Sequence, residues 1–167
     1  QISHCYFKSY EQARAVLWFI NGVAELHEKT AFELGVKIDT IQELLDELKQ
    51  LLTGISMLKE VSKRSRDYLV SFGERMSVRM MAAYLEKEEI PAQFYDAWDI
   101  GFVSDSNFMS AELLDEVWEN IPSYLNSYKE GLSNSIPIVT GFIAKDKKGN
   151  ITTLGRGGSD LTATMIG

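Results

Sequence analysis

Cysteine is nearly absent from this sequence. Cys5 stands alone, so no disulfide can close within the chain and no cysteine-based zinc site can be built. Histidine is almost as scarce. His4 and His27 lack the spacing of a helical zinc pair, so no metal ligand is assigned. Positive charge is in deficit, with 17 Lys and Arg against 24 Asp and Glu and a formal net charge of -7. A nucleic-acid partner would need a basic face to neutralise phosphates, so none is expected. Any anionic ligand must instead be met by a local cationic pocket. No apolar run reaches the roughly eighteen residues of a spanning helix, and no membrane partner is expected. No basic segment leading into an apolar run opens the chain, so no signal peptide is read. The first residue is Gln1 and not methionine, as expected of a processed product or a fragment.

What is present suits one domain with a sizeable core: 167 residues, 45% of them hydrophobic. The stretch that draws attention is Gly155-Arg156-Gly157-Gly158-Ser159-Asp160. Ahead of it, Ile136 to Leu154 reads as two β-rich segments joined by a Lys-Lys-Gly-Asn turn. After it, Ser159 and Asp160 stand where a helix could begin. A strand, a glycine loop and a helix start together bring backbone N–H groups up to an anion. Arg156 adds a planar fork that can hold a carboxylate or phosphate through two hydrogen bonds. The same six residues also suit a plain tight turn.

Taken in order, the chain predicts helices first. Apolar residues at three-and-four spacing from Glu11 to about Thr30 read as an amphipathic helix leaving at Gly35. Thr40 and Glu43 match a capping box, followed by a stripe from Ile41 to Val61 in which Gly54 suggests a kink or a close crossing. Lys59 to Arg79 carries a charge run that reads as a solvated face. Within it, the pattern breaks at Gly73, and Glu74 opens a new helix with Met76, Met80, Met81, Tyr84 and Leu85 on its buried side. Glu74 there could be only a dipole complement. Pro91 ends that helix, and a short strand runs from Ala92 to Ala97. Ser110 caps a further helix that Pro122 could bend or divide. Ile136 to Ile143 reads as one buried strand of a parallel sheet, and a last helix starts at Leu161. Helices followed by buried strands predict an α/β layered domain.

Three stretches carry a resemblance. Ile136–Ile143 with Ile151–Gly167, Asp67-Tyr-Leu-Val-Ser-Phe-Gly-Glu-Arg-Met-Ser77, and Tyr95-Asp-Ala-Trp-Asp-Ile-Gly-Phe102 resemble, in order, motifs of the aspartokinases within the amino acid kinase family, most like the plant-type enzymes. The resemblance implies an α/β fold, part of a three-layer α/β/α amino acid kinase fold with a mainly parallel central sheet. Residues 1–167 would be a partial catalytic domain. The sequence has no Lys-Phe-Gly-Gly loop, nucleotide-binding segment or regulatory ACT domains matching that family's.

The implied reaction is transfer of the γ-phosphoryl group of ATP, with Mg²⁺, to the side-chain carboxylate of L-aspartate, giving 4-phospho-L-aspartate. This would be the first step towards lysine, threonine, methionine and isoleucine. By resemblance, Glu74 would hold the substrate ammonium and Arg156 its α-carboxylate. Phe142, Gly157, Gly158 and Ser159 would line the same pocket, and Asp160 would be the acidic residue of the phosphoryl-transfer site. The chemistry agrees, since a zwitterionic amino acid needs one anion and one cation a short distance apart. Asp160 is not needed as a base, because a carboxyl of pKa near 3.9 is already about 99.9% ionised at pH 7. It would instead orient a lysine or Mg²⁺ at the transferring phosphate, or simply cap its helix. The resemblance further implies a homo-oligomer in the complete enzyme, and a plastid location in a plant or a cytoplasmic one otherwise. The isolated chain is expected not to turn over. A kinase for glutamate or acetylglutamate, and a non-catalytic interaction module derived from such a kinase, remain the other readings.

Overall fold

The computed structural model describes residues 22–131 and 135–167, which divide into two compact units meeting at Val61 and Ser62. In the first, a helix (α1) ends at residue 34, where Gly35 takes a left-handed φ of 65° as its expected role requires. The residues from Glu11 to Asn21 that began this predicted helix lie outside the described residues, as do His4 and Cys5. Helix α2, Asp39–Leu58, buries the stripe Ile41, Leu44, Leu45, Leu48 and Leu52. The expected capping box does not form. Ile38 occupies the N-cap with helical angles, and the first N–H groups are taken by carbonyls, Thr40 donating to Lys37 and Ile41 to Ile38. Among the described residues nothing crosses closely at Gly54, and the helix runs on through it. Val61 falls beyond the helix end.

The second unit is the α/β part. Helix α3, Lys63–Lys87, starts on Ser62, whose hydroxyl accepts the N–H of Ser65. Gly73 does not break it, because Phe72 and Met76 are 1% exposed on either side and their burial outweighs the roughly 1 kcal/mol that glycine costs a helix. Glu74 therefore sits in mid-helix, and the dipole-complement reading falls. Met76 and Met80 are buried as expected, whereas Met81 is 49% exposed.

Strand β1, Ala92–Tyr95, leads into a 3₁₀ turn, Ala97–Ile100, closed by a capping box between Asp96 and Asp99. Strand β2, Val103–Ser104, follows. The helix expected to start at Ser110 starts instead at Val117 and runs to Gly131 as α4. Residues 111–114 stay out of a helix because their N–H groups find partners in the strands: Ala111 donates to the Thr153 carbonyl and Leu114 to that of Val103. Pro122 lies inside α4 without dividing it.

The predicted strand 136–143 is two strands. β3, Ile136–Val139, pairs parallel with β1; β4, Ile143–Asp146, pairs parallel with β2 and antiparallel with β5, Ile151–Thr153. The break is at Phe142, whose φ of 68° no strand residue can hold. The hairpin turn is built by Asp146, which accepts the N–H groups of Lys148 and Asn150, the Asn150 amide and the Ser106 hydroxyl. Burial alone would raise the pKa of Asp146, but these hydrogen bonds outweigh it and hold the carboxyl below its ordinary value.

Alternate strand residues face opposite ways. Tyr95, Val139, Ala144 and Leu154 join Ile100, Phe102, Val117 and Ile121 in one core, to which Met165 and Ile166 of the last helix add. On the other side, Phe94 lies under the Arg79 guanidinium of α3 at 4.3 Å. Arg79 also grips Asp96 through two bonds of 3.1 and 3.0 Å, fixing α3 to the end of β1. Helices thus cover both faces of the strands, and the layered α/β expectation holds within residues 62–167.

Candidate functional site

After β5 the chain turns through Gly155, φ 71°, and Gly157, φ 78°, left-handed conformations that glycine adopts without strain. Helix α5, Gly158–Ile166, begins immediately, three residues earlier than predicted, with Gly157 as its N-cap. Ser159 and Asp160 therefore fall in its first turn, where backbone N–H groups point outward from the helix start.

The loop closes against the break between β3 and β4. Gly158 is buried, and a Cβ there would lie 3.0 Å from the Leu154 Cβ and 3.0 Å from Cδ2 of Phe142. Gly141 approaches from the other side. A Cβ on it would lie 3.0 Å from the Ser159 Oγ. Thr162, one turn into α5, donates its hydroxyl to the Gly158 carbonyl at 2.8 Å and accepts the Phe142 N–H at 3.3 Å. The Phe142 carbonyl in turn accepts the Leu154 N–H at 2.9 Å. Phe142 is in this way held in a conformation that costs a non-glycine residue about 1–3 kcal/mol.

Glu74 reaches the same place from α3. Its carboxylate accepts the Gly141 N–H, and burial against apolar walls raises its pKa above the ordinary carboxylate value, with that hydrogen bond opposing the rise. A cavity of about 510 Å³ opens beside it, lined by Glu74, Gly141, Ser159 and Thr162 and, on its apolar side, by residues that include Ile100, Tyr124, Leu125, Val139 and Ile166. A half-buried carboxylate on such a wall is chemically able to accept a hydrogen-bond donor or pair with a cation.

The structure therefore brings Glu74 and Ser159, far apart in sequence, to one cavity, while Phe142 and Gly158 pack against each other beside Ser159 without lining it. Arg156 is exposed on the crest of the loop between the two left-handed glycines, Gly157 and Asp160 are exposed beside it, and none of the three lines the cavity. Among the described residues no ion pair joins Glu74 to Arg156, so the two opposite charges do not neutralise each other. No group of three or more His, Cys, Asp or Glu is placed to hold a metal among the described residues. Asp160 is a single exposed carboxylate, a donor set that fits a Mg²⁺ carried by nucleotide phosphates and not one caged by protein. No helix among the described residues is long and apolar enough to cross a membrane.

Sequence reasoning missed Gly141 and Thr162. Gly141 stands in the Thr140-Gly-Phe run, where a glycine between two apolar segments signals close backbone approach. Thr162 shows no signal beyond its position one turn after Gly158.

The pattern of the Amino acid kinase family matches residues 19–167. The chain is 49% identical over 148 residues to "Aspartokinase 2, chloroplastic" of Arabidopsis thaliana, covering 87% of this chain and 27% of that protein. It is 33% identical over 147 residues to the aspartokinase of Schizosaccharomyces pombe, covering 84% of this chain and 28% of that protein. Among solved structures it is similar to E. coli aspartokinase III in complex with aspartate and ADP, with a TM-score of 0.65 and 29% identity over 77% of this chain and 28% of that one. The chain thus spans about a quarter of the length of these relatives. With a match that takes in the α/β unit, the glycine loop and the Glu74 helix together, the chain belongs to the amino acid kinase family.

Proposed function

We propose that this chain is the amino-acid-binding part of an aspartate kinase, which transfers the γ-phosphoryl group of ATP, with Mg²⁺, to the side-chain carboxylate of L-aspartate. The observation that carries the reading is the convergence of Glu74 and Ser159 on one cavity, with Glu74 bonded to Gly141. The solved relative that binds aspartate and ADP supports the choice of ligand. In this reading Glu74 takes the substrate ammonium, and Arg156 swings in from the loop crest to take its α-carboxylate through a two-bond fork. Gly157, Gly158 and Ser159 offer helix-start N–H groups to the same ligand. Phe142 keeps the wall in register, and Asp160 orients the cation that meets the transferring phosphate. The chemistry is positioning and charge neutralisation, because the attacking carboxylate is ionised already. The 167 residues alone bind the amino acid but do not turn over, since the sequence holds no Lys-Phe-Gly-Gly loop to meet the phosphate. In a plant, a plastid location accompanies the reading, because the Arabidopsis relatives are chloroplastic.

Calorimetric titration of the chain with L-aspartate, L-glutamate and N-acetyl-L-glutamate tests this. Saturable binding of aspartate, weakened about tenfold or more by Arg156→Ala through loss of a charge-assisted pair, is the expected result. Equal binding of all three ligands, or none of aspartate, rules the assignment out.

A further inference from the structure

Asp67 is 1% exposed, and the binding site described above makes no use of it. It lies on α3 seven residues before Glu74, which places the two carboxylates on one helix face about 10 Å apart along the axis. Both point at backbone. The Asp67 Oδ2 accepts the Met109 N–H at 2.8 Å and the Thr153 N–H at 3.1 Å, while Oδ1 accepts the Thr153 hydroxyl at 2.8 Å. Thr153 is the last residue of β5, two before Gly155. Met109 has a left-handed φ of 74°, and a Cβ on Gly155 would lie 3.9 Å from its carbonyl oxygen and 3.6 Å from the neighbouring Ser110 Oγ.

One buried carboxylate therefore holds both the strand that feeds the glycine loop and the segment on which that loop leans. Glu74 holds Gly141, the chain neighbour of Phe142, whose carbonyl accepts the Leu154 N–H. We infer that Asp67 is a positioning residue for ligand binding: by tying α3 to Thr153 and Met109 it sets the distance between Glu74 and the Arg156 loop. It touches no ligand. The bonds it makes are charge-assisted and dry, the kind that holds geometry most tightly. The ligand arm of this inference rests on the aspartate-binding reading given above.

The test uses the 167-residue chain and three variants, Asp67→Asn, Asp67→Ala and, as a control for stability loss alone, Asn150→Ala, which loosens the hairpin turn but leaves Ser106 bonded to Asp146. Each is measured by L-aspartate calorimetry and by amide hydrogen exchange at residues 154–160. Asp67→Ala is expected to weaken aspartate about tenfold and to speed exchange in the glycine loop by a similar factor, as loss of a buried charged acceptor predicts. Asp67→Asn, which keeps one acceptor oxygen, is expected to fall between, at about threefold. Asn150→Ala should unfold at lower urea yet leave affinity and loop exchange within about twofold, since it shares no hydrogen-bond partner with Asp67. A folded Asp67→Ala with wild-type affinity and wild-type loop exchange overturns the inference, and so does Asn150→Ala moving both as far. Should Asp67→Ala not fold, Asp67→Asn decides by the same two readings. Absence of aspartate binding by the wild-type chain would sink the ligand assignment, and loop exchange alone would then decide for Asp67.

Discussion

Replacing Gly141 by alanine tests whether the closeness of the β3–β4 break to α5 is what shapes the site. Gly141 does not occupy the left-handed region, so backbone conformation raises no objection to a side chain. On entropy alone alanine should stabilise, by about 0.4–1 kcal/mol, because it restricts the unfolded chain. Packing argues the other way. The new Cβ would lie 3.0 Å from the Ser159 Oγ, 3.1 Å from its Cβ and 3.2 Å from its Cα. The hydroxyl can rotate away, but Cβ and Cα belong to the second residue of α5. Its neighbour Gly158 is already wedged between Leu154 and Phe142. Relief requires the helix or the loop to shift by a few tenths of an ångström, and overpacking of that kind costs about 1–3 kcal/mol. The net expectation is destabilisation by about 0.5–2 kcal/mol. Glu74 is displaced with the Gly141 N–H it accepts, so aspartate affinity should fall about tenfold in the same variant. Urea unfolding with an unchanged m-value gives the first quantity and calorimetry the second. A Gly141→Ala chain as stable as the wild type, with unchanged affinity, would refute the reasoning.

Two further outcomes are expected. Because burial raises the Glu74 pKa, the folded chain holds a proton there over a range where the unfolded chain has released it. That stability is present at low pH and is lost as pH rises through the raised pKa. Glu74→Gln should therefore raise the urea midpoint at about pH 7, with the gain shrinking towards about pH 4, while aspartate binding weakens at least about tenfold. An unchanged midpoint at neutral pH would contradict it. Arg79→Met strands Asp96, itself 5% exposed, with the Arg75 Nε at 3.7 Å as its remaining cation. A loss of about 2–4 kcal/mol in urea unfolding is expected, and about half that for Arg79→Lys, which cannot make the two-bond fork over Phe94. Full recovery by lysine would show that the fork is unimportant.

The glycine loop was legible because its features are local: three glycines, a preceding β-rich stretch and residues suited to a helix start. Features decided by distant partners were not. Gly73 reads as a helix breaker by propensity, yet Phe72 and Met76 bury and carry the helix through it. Ser110 reads as a cap, but the carbonyls of Thr153 and Val103 take the N–H groups of Ala111 and Leu114 and keep that segment out of a helix. The run from Ile136 to Ile143 is apolar enough for one strand. Only the contact of Gly158 with Phe142, and the Thr162 hydroxyl on the Phe142 N–H, explain why it turns there. The resemblance carried the pairing of Glu74 with the loop. No periodicity or spacing in the sequence joins Glu74 to Gly141.

The joining element is α3, and the way it is attached explains why. Asp67 is bonded to Thr153 and Met109, Glu74 to Gly141, and Arg79 to Asp96, with Arg75 beside the same Asp96, so one helix meets the β-layer through polar contacts along its length. Apolar packing alone is non-directional and would tolerate a helix sliding or rolling against the strands. A carboxylate on a backbone N–H tolerates neither. A slip of one turn, about 5.4 Å, would leave Asp67 buried without its acceptor bonds, a loss of several kcal/mol from a unit whose whole stability is of the order of 5–15 kcal/mol. The register that avoids this loss is also the one that brings Glu74 to the cavity wall, so the contacts that hold the fold together and those that place this carboxylate are the same set.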